Sequence, residues 1–350
     1  MTVAVDTEPC DVCGDVGPMQ PVVTMSLCGV LDAEIRGCAR CGFRQVRPRL
    51  TAGELRQLYP DAYFDPEGEI GYSAYARERQ RAEREAYFLA RTVRQLGPSA
   101  RVLEVGCALG FQLDAVRRFA RCEVQGVDVS SFAARFADRE FGVPVRAGTL
   151  EEAKFPAGRF DLIVQKDLLE HVLRPRDHLA ESFRVLAPGG LLWLVTPNGE
   201  TNVRPLVRRA REERRAGSGL LPMMDQGHLS FFTRDNLERL VREAGFDVVS
   251  LRTVHVKRGL RALGWLPRRR AREKVAPGGR ERGTALAEPR APTDEEALAR
   301  KLSAALREAR RGHKSSPWYF HTRRWMSAFD RTPPGWDAGL DFDCWLRKPR

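Results

Sequence analysis

The chain has 350 residues, 43% of them apolar, enough for one good-sized core with appendages. Its net charge of +12 is uneven: 35 Lys+Arg meet 35 Asp+Glu over residues 1–256, against 23 and 11 over 257–350. No basic-then-apolar leader opens the sequence and no apolar run reaches the about 18 to 20 residues that cross a bilayer, which excludes a spanning helix and makes a cytoplasmic protein the expectation.

In chain order the first pattern is Cys10-x-x-Cys13-Gly, repeated as Cys38-x-x-Cys41-Gly. Each puts two thiolates on a tight turn whose glycine lets backbone amides face the sulfurs, and the two turns together make a closed four-sulfur Zn²⁺ site. Such a site has no open position, so the expected zinc is structural. It would supply most of the folding energy of a ribbon over residues 1–50, too small to hold by burial. Cys28, Cys107, Cys122 and Cys344 lack this spacing and read as small buried hydrophobes. Residues 51–98 add a tyrosine-rich stretch and a lead-in helix through about Leu96. There Tyr59, Tyr63, Tyr72 and Tyr75 suit either a lid over a pocket or the docking of the ribbon on the next domain.

Over residues 99–256 strand and helix patterns alternate as in a doubly wound, Rossmann-like α/β sheet. The predicted strands are 101–105, 123–127, 143–146, 160–165, 190–196 and 246–256, with helices such as Ser131–Phe141 and Arg176–Leu186 between them, and "APGG" and "EAGF" closing helices before strands. The first strand runs into Glu104-x-Gly106-x-Ala108-x-Gly110 where a dinucleotide site has G-x-G-x-x-G. A carboxylate there repels a phosphate but suits a cofactor with a cationic amino acid end and no phosphates. S-adenosylmethionine is such a molecule, with an ammonium, a sulfonium and a ribose. Asp128 ends the next strand, in "GVDVS", where a carboxylate can accept from both ribose hydroxyls.

With these features in place the sequence resembles the class I S-adenosylmethionine-dependent methyltransferases. "VLEVGCALG", "VQGVDVS", "FPAGRFDLIVQKDLLEHV" and "VLAPGGLLWLVTPN" are similar to the motifs around their first, second, fourth and fifth strands, and "GHLSFFTRDNLERLVREAGF" to their substrate-side segment and last large helix. The resemblance covers roughly residues 75 to 256. It implies that Glu104, Gly106 and Gly110, with Cys107 and Ala108, shape the methionine site, that Asp128 and Val129 serve the ribose, that Thr149 and Leu150 form the adenine edge, and that Gln165 belongs to the cofactor site. Ala108 in place of the family's middle glycine is tolerable at negative φ, and the adenine position lacks the common acid.

Methyl transfer from a sulfonium needs alignment, exclusion of water and, for a hydroxyl or carbon acid, a base. His171 and His228 stand near the carboxyl edge of the sheet as candidate bases, with Glu170 a lesser one; His178, His255, His313 and His321 have no constellation in the sequence. The alternative for His171 is a histidine bonded inside the fold.

A ribbon ahead of such a domain also resembles bacterial methyltransferases that act on nucleotide-linked deoxysugars at carbon. Those carry a further large C-terminal domain, for which the about 90 residues after the sixth strand leave no room, so O- or N-methylation of a small metabolite stays open beside C-methylation. A competing reading is RNA modification, from a pI near 9.7, the ribbon and "LPRRRAREK". Against it, Gln165-Lys166-Asp167-Leu168 stands where base amino-methylases need an Asn/Asp-Pro-Pro-aromatic loop. A third reading is a non-catalytic zinc-ribbon scaffold.

Residues 257–339 are expected to be a basic insertion, and 340–350, "LDFDCWLRKPR", the final antiparallel strand beside the sixth. The Arg, Pro and Gly density of 258–292 predicts a mobile loop whose arginines attract an anionic acceptor. Thr293 with Glu296 forms a capping box for a helix whose apolar face is Leu298, Leu302, Ala305, Leu306 and Ala309.

Overall fold

A computed structural model describes residues 8–59, 61–64, 75–224, 226–256, 294–311, 337 and 339–350. The predicted loop at 258–292, Tyr72, Thr293, His313 and His321 lie outside the described residues, as do the side chains of Tyr75, Ala305, Leu306 and Ala309.

The N-terminal part contributes β1 (Gln20–Leu27), β2 (Leu31–Gly37), β3 (Arg44–Arg47) and a short helix α1 (Ala52–Gln57), followed by the long helix α2 (Tyr75–Leu96). The alternating region then runs β4 (Arg101–Val105), α3 (Phe111–Ala120), β5 (Glu123–Asp128), α4 (Ser131–Phe141), β6 (Val145–Ala147), β7 (Phe160–Lys166), α5 (Pro175–Val185) and β8 (Leu186–Pro197). After it come α6 (Gly199–Ala216), the short strands β9 (Met223–Met224) and β10 (Ser230–Phe231), α7 (Arg234–Glu243), β11 (Asp247–Val254), α8 (Glu295–Arg311) and β12 (Asp341–Arg347).

The main sheet has seven strands in the order β6-β5-β4-β7-β8-β12-β11. Its first five are parallel, and β12 is antiparallel to both neighbours. Central strands read as continuous apolar runs because helices cover both faces: Val102, Leu103 and Val105 of β4 are all buried. Local signals place the helices. Ser130 caps α4 by accepting from the Ala133 N–H at 3.1 Å, Gly142 ends it in the left-handed conformation, and Pro175 occupies the first turn of α5. "APGG" does not separate α5 from a strand beginning at Gly190: β8 starts at Leu186, and its pairing with β7 jumps from Phe160–Leu186 to Leu162–Leu191, so the turn is an irregularity inside the strand.

The final strand forms as expected and goes further than lying beside β11. It inserts between β8 and β11, with Cys344 opposite both Leu194 and Leu251. Phe342, Cys344 and Leu346 are fully buried on one face, while on the other Trp345 stacks on Trp193 with centroids 5.7 Å apart. In α8, Asp294 supplies the cap, accepting from the Glu296 and Ala297 N–H groups, and Leu298, Ala299 and Leu302 pack with Phe64, Phe132 and Phe136. That seat against α4 fixes the helix as core cover at its described apolar positions, each leucine contributing about 1.5 to 3 kcal/mol by burial.

The ribbon does not close on itself at residue 50. Its sheet has five strands in the order β10-β3-β2-β1-β9, so two edge strands come from residues 223–231, far along the chain. No local pattern announces this, because strands of two residues carry no periodicity.

Candidate functional site

The carboxyl ends of β4, β5 and β7 open into a cavity of 1140 Å³, at the point where the strand order reverses. Leaving β4, the chain turns through Gly106, Ala108 and Gly110, all at positive φ (72°, 47° and 76°), into α3. A Cβ on Gly106 would lie 3.0 Å from Leu168 Cδ1, and one on Gly110 2.9 Å from Ala137 Cβ, so close approach as well as φ demands glycine at both. Ala108 departs from expectation: negative φ was required for it to be tolerated, and it takes the left-handed region at a cost of about 1 to 2 kcal/mol. Its N–H donates to Asp128 Oδ2 at 2.7 Å, a bond that this conformation directs.

Asp128 is buried, and its other oxygen accepts from the Ser130 N–H at 2.9 Å. Both oxygens are thereby oriented while each keeps an acceptor lone pair. Glu104 is buried with Oε2 lacking a partner, and burial pushes its carboxyl up to about 8 despite the nearby Lys166 ammonium, which is paired with Glu85 at 2.6 Å. An orphaned buried carboxyl at the end of β4 fits a ligand bringing its own cation, as the ammonium of S-adenosylmethionine would. Cys107, Val129, Thr149 and Leu150 also line the cavity, Val129 as an exposed apolar group at its mouth. Gln165 is placed otherwise: its amide is fully buried, donates to Ser182 Oγ at 2.8 Å, and does not line the cavity. The strand alternation turns Gln165 away from the side on which Lys166 lines the cavity.

Across the cavity His171 and His228 meet edge to face, ring centroids 4.9 Å apart. His171 sits on a single 3-10 turn after β7, and its Nδ1 lies 2.7 Å from the Tyr59 hydroxyl and 3.2 Å from the Gly227 carbonyl. Because a carbonyl only accepts, the Gly227 contact calls for an Nδ1–H, whose one proton is shared with the Tyr59 oxygen, and leaves Nε2 as an acceptor. Glu170 lies beside both rings, with Oε1 buried and unpartnered 3.7 Å from His171 Nε2 and 4.0 Å from His228 Nε2, and with Oε2 accepting from the Thr196 hydroxyl at 2.8 Å. Burial governs all three: it holds His171 down at about 4, pulls His228 well below the usual range and raises Glu170 well above its own. These separations exceed both a direct hydrogen bond and the about 3.3 Å expected between nitrogen and oxygen ligands sharing one tetrahedral ion, although the three residues are close enough together to converge on one bound group.

Two histidines judged to lack a constellation gain one. His255 Nδ1 lies 2.7 Å from Asp341 and His178 Nδ1 3.2 Å from Glu151, and all four residues line the cavity. Their partners come from distant strands and loops, which spacing along the sequence cannot reveal. Tyr59 and Tyr63 line the cavity, and Tyr59 packs against the same buried cluster as the ribbon's Cys28.

At the ribbon, Cys10 Sγ and Cys41 Sγ are 3.6 Å apart and Cys13 Sγ and Cys38 Sγ 3.5 Å. Sulfurs bound tetrahedrally to one zinc at about 2.3 Å stand about 3.8 Å apart, so the four thiols fit that ion. We expect the purified chain to carry about one equivalent of zinc by elemental analysis. Less than about half an equivalent under reducing conditions, with the four cysteines readily alkylated, would contradict the assignment.

A family model described as a methyltransferase domain matches residues 75–251. A Mycolicibacterium smegmatis protein named as an S-adenosylmethionine-dependent methyltransferase is 36% identical over 98 residues, which span 28% of this chain and only 38% of that one. A ubiquinone biosynthesis O-methyltransferase from Burkholderia pseudomallei is 26% identical over 163 residues, 45% of this chain and 68% of the relative. Among solved structures, a SAM dependent methyltransferase from Archaeoglobus fulgidus matches with 15% identity and a TM-score of 0.43, covering 79% of this chain and 100% of that one. The family match takes in just over half of the residues, and the chain belongs to the class I S-adenosylmethionine-dependent methyltransferases.

Proposed function

We propose that this enzyme methylates a small metabolite, of the kind of a sugar or natural-product intermediate, seated between the cofactor turn and the His171–His228 wall. The observation that carries this reading is the single cavity of 1140 Å³ joining the two, larger than the about 300 to 1,000 Å³ of an ordinary ligand pocket and so roomy enough for cofactor and acceptor together. Bound S-adenosylmethionine supplies an electrophilic methyl group. The chain's own residues hold the partners in line: Glu104 and Asp128 face the cofactor's ammonium and ribose, and Thr149 and Leu150 flank its base. His228, kept neutral by burial, takes the acceptor's proton, with His171 packed against its ring in the same wall.

Asp167, Glu170 and Asp341 line the cavity on the histidine side. They favour an acceptor presenting hydroxyl or amine donors there rather than an anion, and the O-methyltransferase relatives favour oxygen as the methylated atom. Incubation with methyl-labelled S-adenosylmethionine and matched panels of polyol, amino-sugar, catechol and carboxylate acceptors tests this. Label should enter neutral or amine-bearing acceptors; label entering RNA alone would overturn it.

A further inference from the structure

The segment that carries His228 makes its strand pairings with the ribbon on both sides of the histidine. Upstream, Met223 and Met224 of β9 pair in parallel with Ser26 and Leu27 of β1, and the flanking bonds Ser26 N–H to Pro222 O and Cys28 N–H to Met224 O measure 3.0 and 2.8 Å. Downstream, Ser230 and Phe231 of β10 pair with Gln45 and Arg44 of β3. His228 is strung between the two outer edges of the ribbon sheet. Its neighbour Leu229 donates to the Glu170 carbonyl at 2.7 Å and accepts from the Val46 N–H at 2.8 Å, so one residue joins ribbon, histidine and the turn after β7.

β3 is paired along its length with β2, and its start is tied to the second cysteine knuckle. Cys38 N–H donates to Phe43 O at 2.8 Å and Gly42 N–H to Cys38 O at 2.9 Å, which locks the four residues before β3 to the sulfurs. Phe43 is fully buried and meets Phe232, the residue after β10, with ring centroids 5.4 Å apart. Phe232 O in turn accepts from the Gly199 N–H at the start of α6 at 2.7 Å. The cofactor turn has its own backbone support, Gly106 N–H on Val127 O at 2.8 Å, while Val105 and Val127 beside it share a buried cluster with Phe43.

We infer that the zinc ribbon is a positioning device for His228: four gathered thiolates fix the entry to β3, and the sheet that β3 forms with β2 and β1 holds residues 223–231 across the cavity wall. Phe43 is the positioning residue that carries the constraint from the knuckle to β10. The inference rests on the proposed role of His228 only for its consequence in turnover, since the geometry itself can be read without cofactor or acceptor.

Amide hydrogen exchange on the full chain tests it, zinc-loaded and after zinc is withdrawn by a chelator, together with modification of His228 by diethyl pyrocarbonate. Zinc withdrawal should speed exchange at Leu229, Ser230 and Phe231 by about tenfold or more and open His228 to the reagent, while β4 and β5 keep their protection. Phe43→Ala should do the same with zinc still bound, and Phe43→Leu should restore most of the protection. Unchanged exchange at 229–231 in both cases would overturn the inference. So would an equal loss of protection through β4 and β5, which would make the zinc a support of the whole fold.

Discussion

Replacing His228 by alanine is expected to lower turnover by about 100-fold or more while leaving the affinity for S-adenosylmethionine within about twofold. A base acts on the acceptor and makes no contact with the sulfonium, so the loss belongs in the chemical step. Burial adds a pH signature. His171 is held at about 4 and His228 well below its usual range, so both remain neutral as pH falls through 6.5. Activity limited by protonation of this base should therefore persist well below pH 6.5. Stability runs the other way: the unfolded chain binds these protons first, so their contribution is lost as pH falls from about 6.5 toward 4. Steady-state kinetics with an identified acceptor decides the matter, and full turnover in the variant would make His228 a structural residue and direct attention to His171.

Asp128→Ala should weaken S-adenosylmethionine binding by about 1.5 to 3 kcal/mol, the range for hydrogen bonds to a charged group, or roughly 10- to 150-fold in Kd. The carboxylate also holds the Ala108 and Ser130 N–H groups, so its removal loosens the strained turn as well as the ribose contact. Calorimetry on the folded variant and parent measures the difference. Equal affinities would mean that the ribose lies elsewhere.

The parallel sheet and cofactor turn were legible because their signals are local. Glu104, Gly106, Gly110 and Asp128 sit at strand ends marked by apolar runs and glycines, and 341–347 alternates as a strand should. Ala108 misled because nothing in its neighbours reports φ; only the bond to Asp128, twenty residues on, requires the left-handed turn. Gln165 misled by one step of strand alternation. The acid–histidine wall was half visible: His171 and His228 could be named, but Tyr59, Asp341 and the Glu170 oxygen beside the rings are brought together by long-range packing. Least legible was the ribbon's reach to residues 223–231, where two-residue strands owe their existence to the edges they pair with.

Calorimetric titration of the purified, zinc-loaded chain with S-adenosylmethionine, repeated in buffers of different ionisation enthalpy, tests the central claim that this cofactor binds at the ends of β4 and β5. Glu104 is mostly protonated at pH 7 with its carboxyl raised to about 8, and an ammonium beside it would draw it back to the ionised form. One molecule should bind per chain with release of about one proton, and Glu104→Gln should abolish the release. A folded chain that takes up no S-adenosylmethionine, or binds it with undiminished affinity in both the Asp128→Ala and Glu104→Gln variants, would contradict the account.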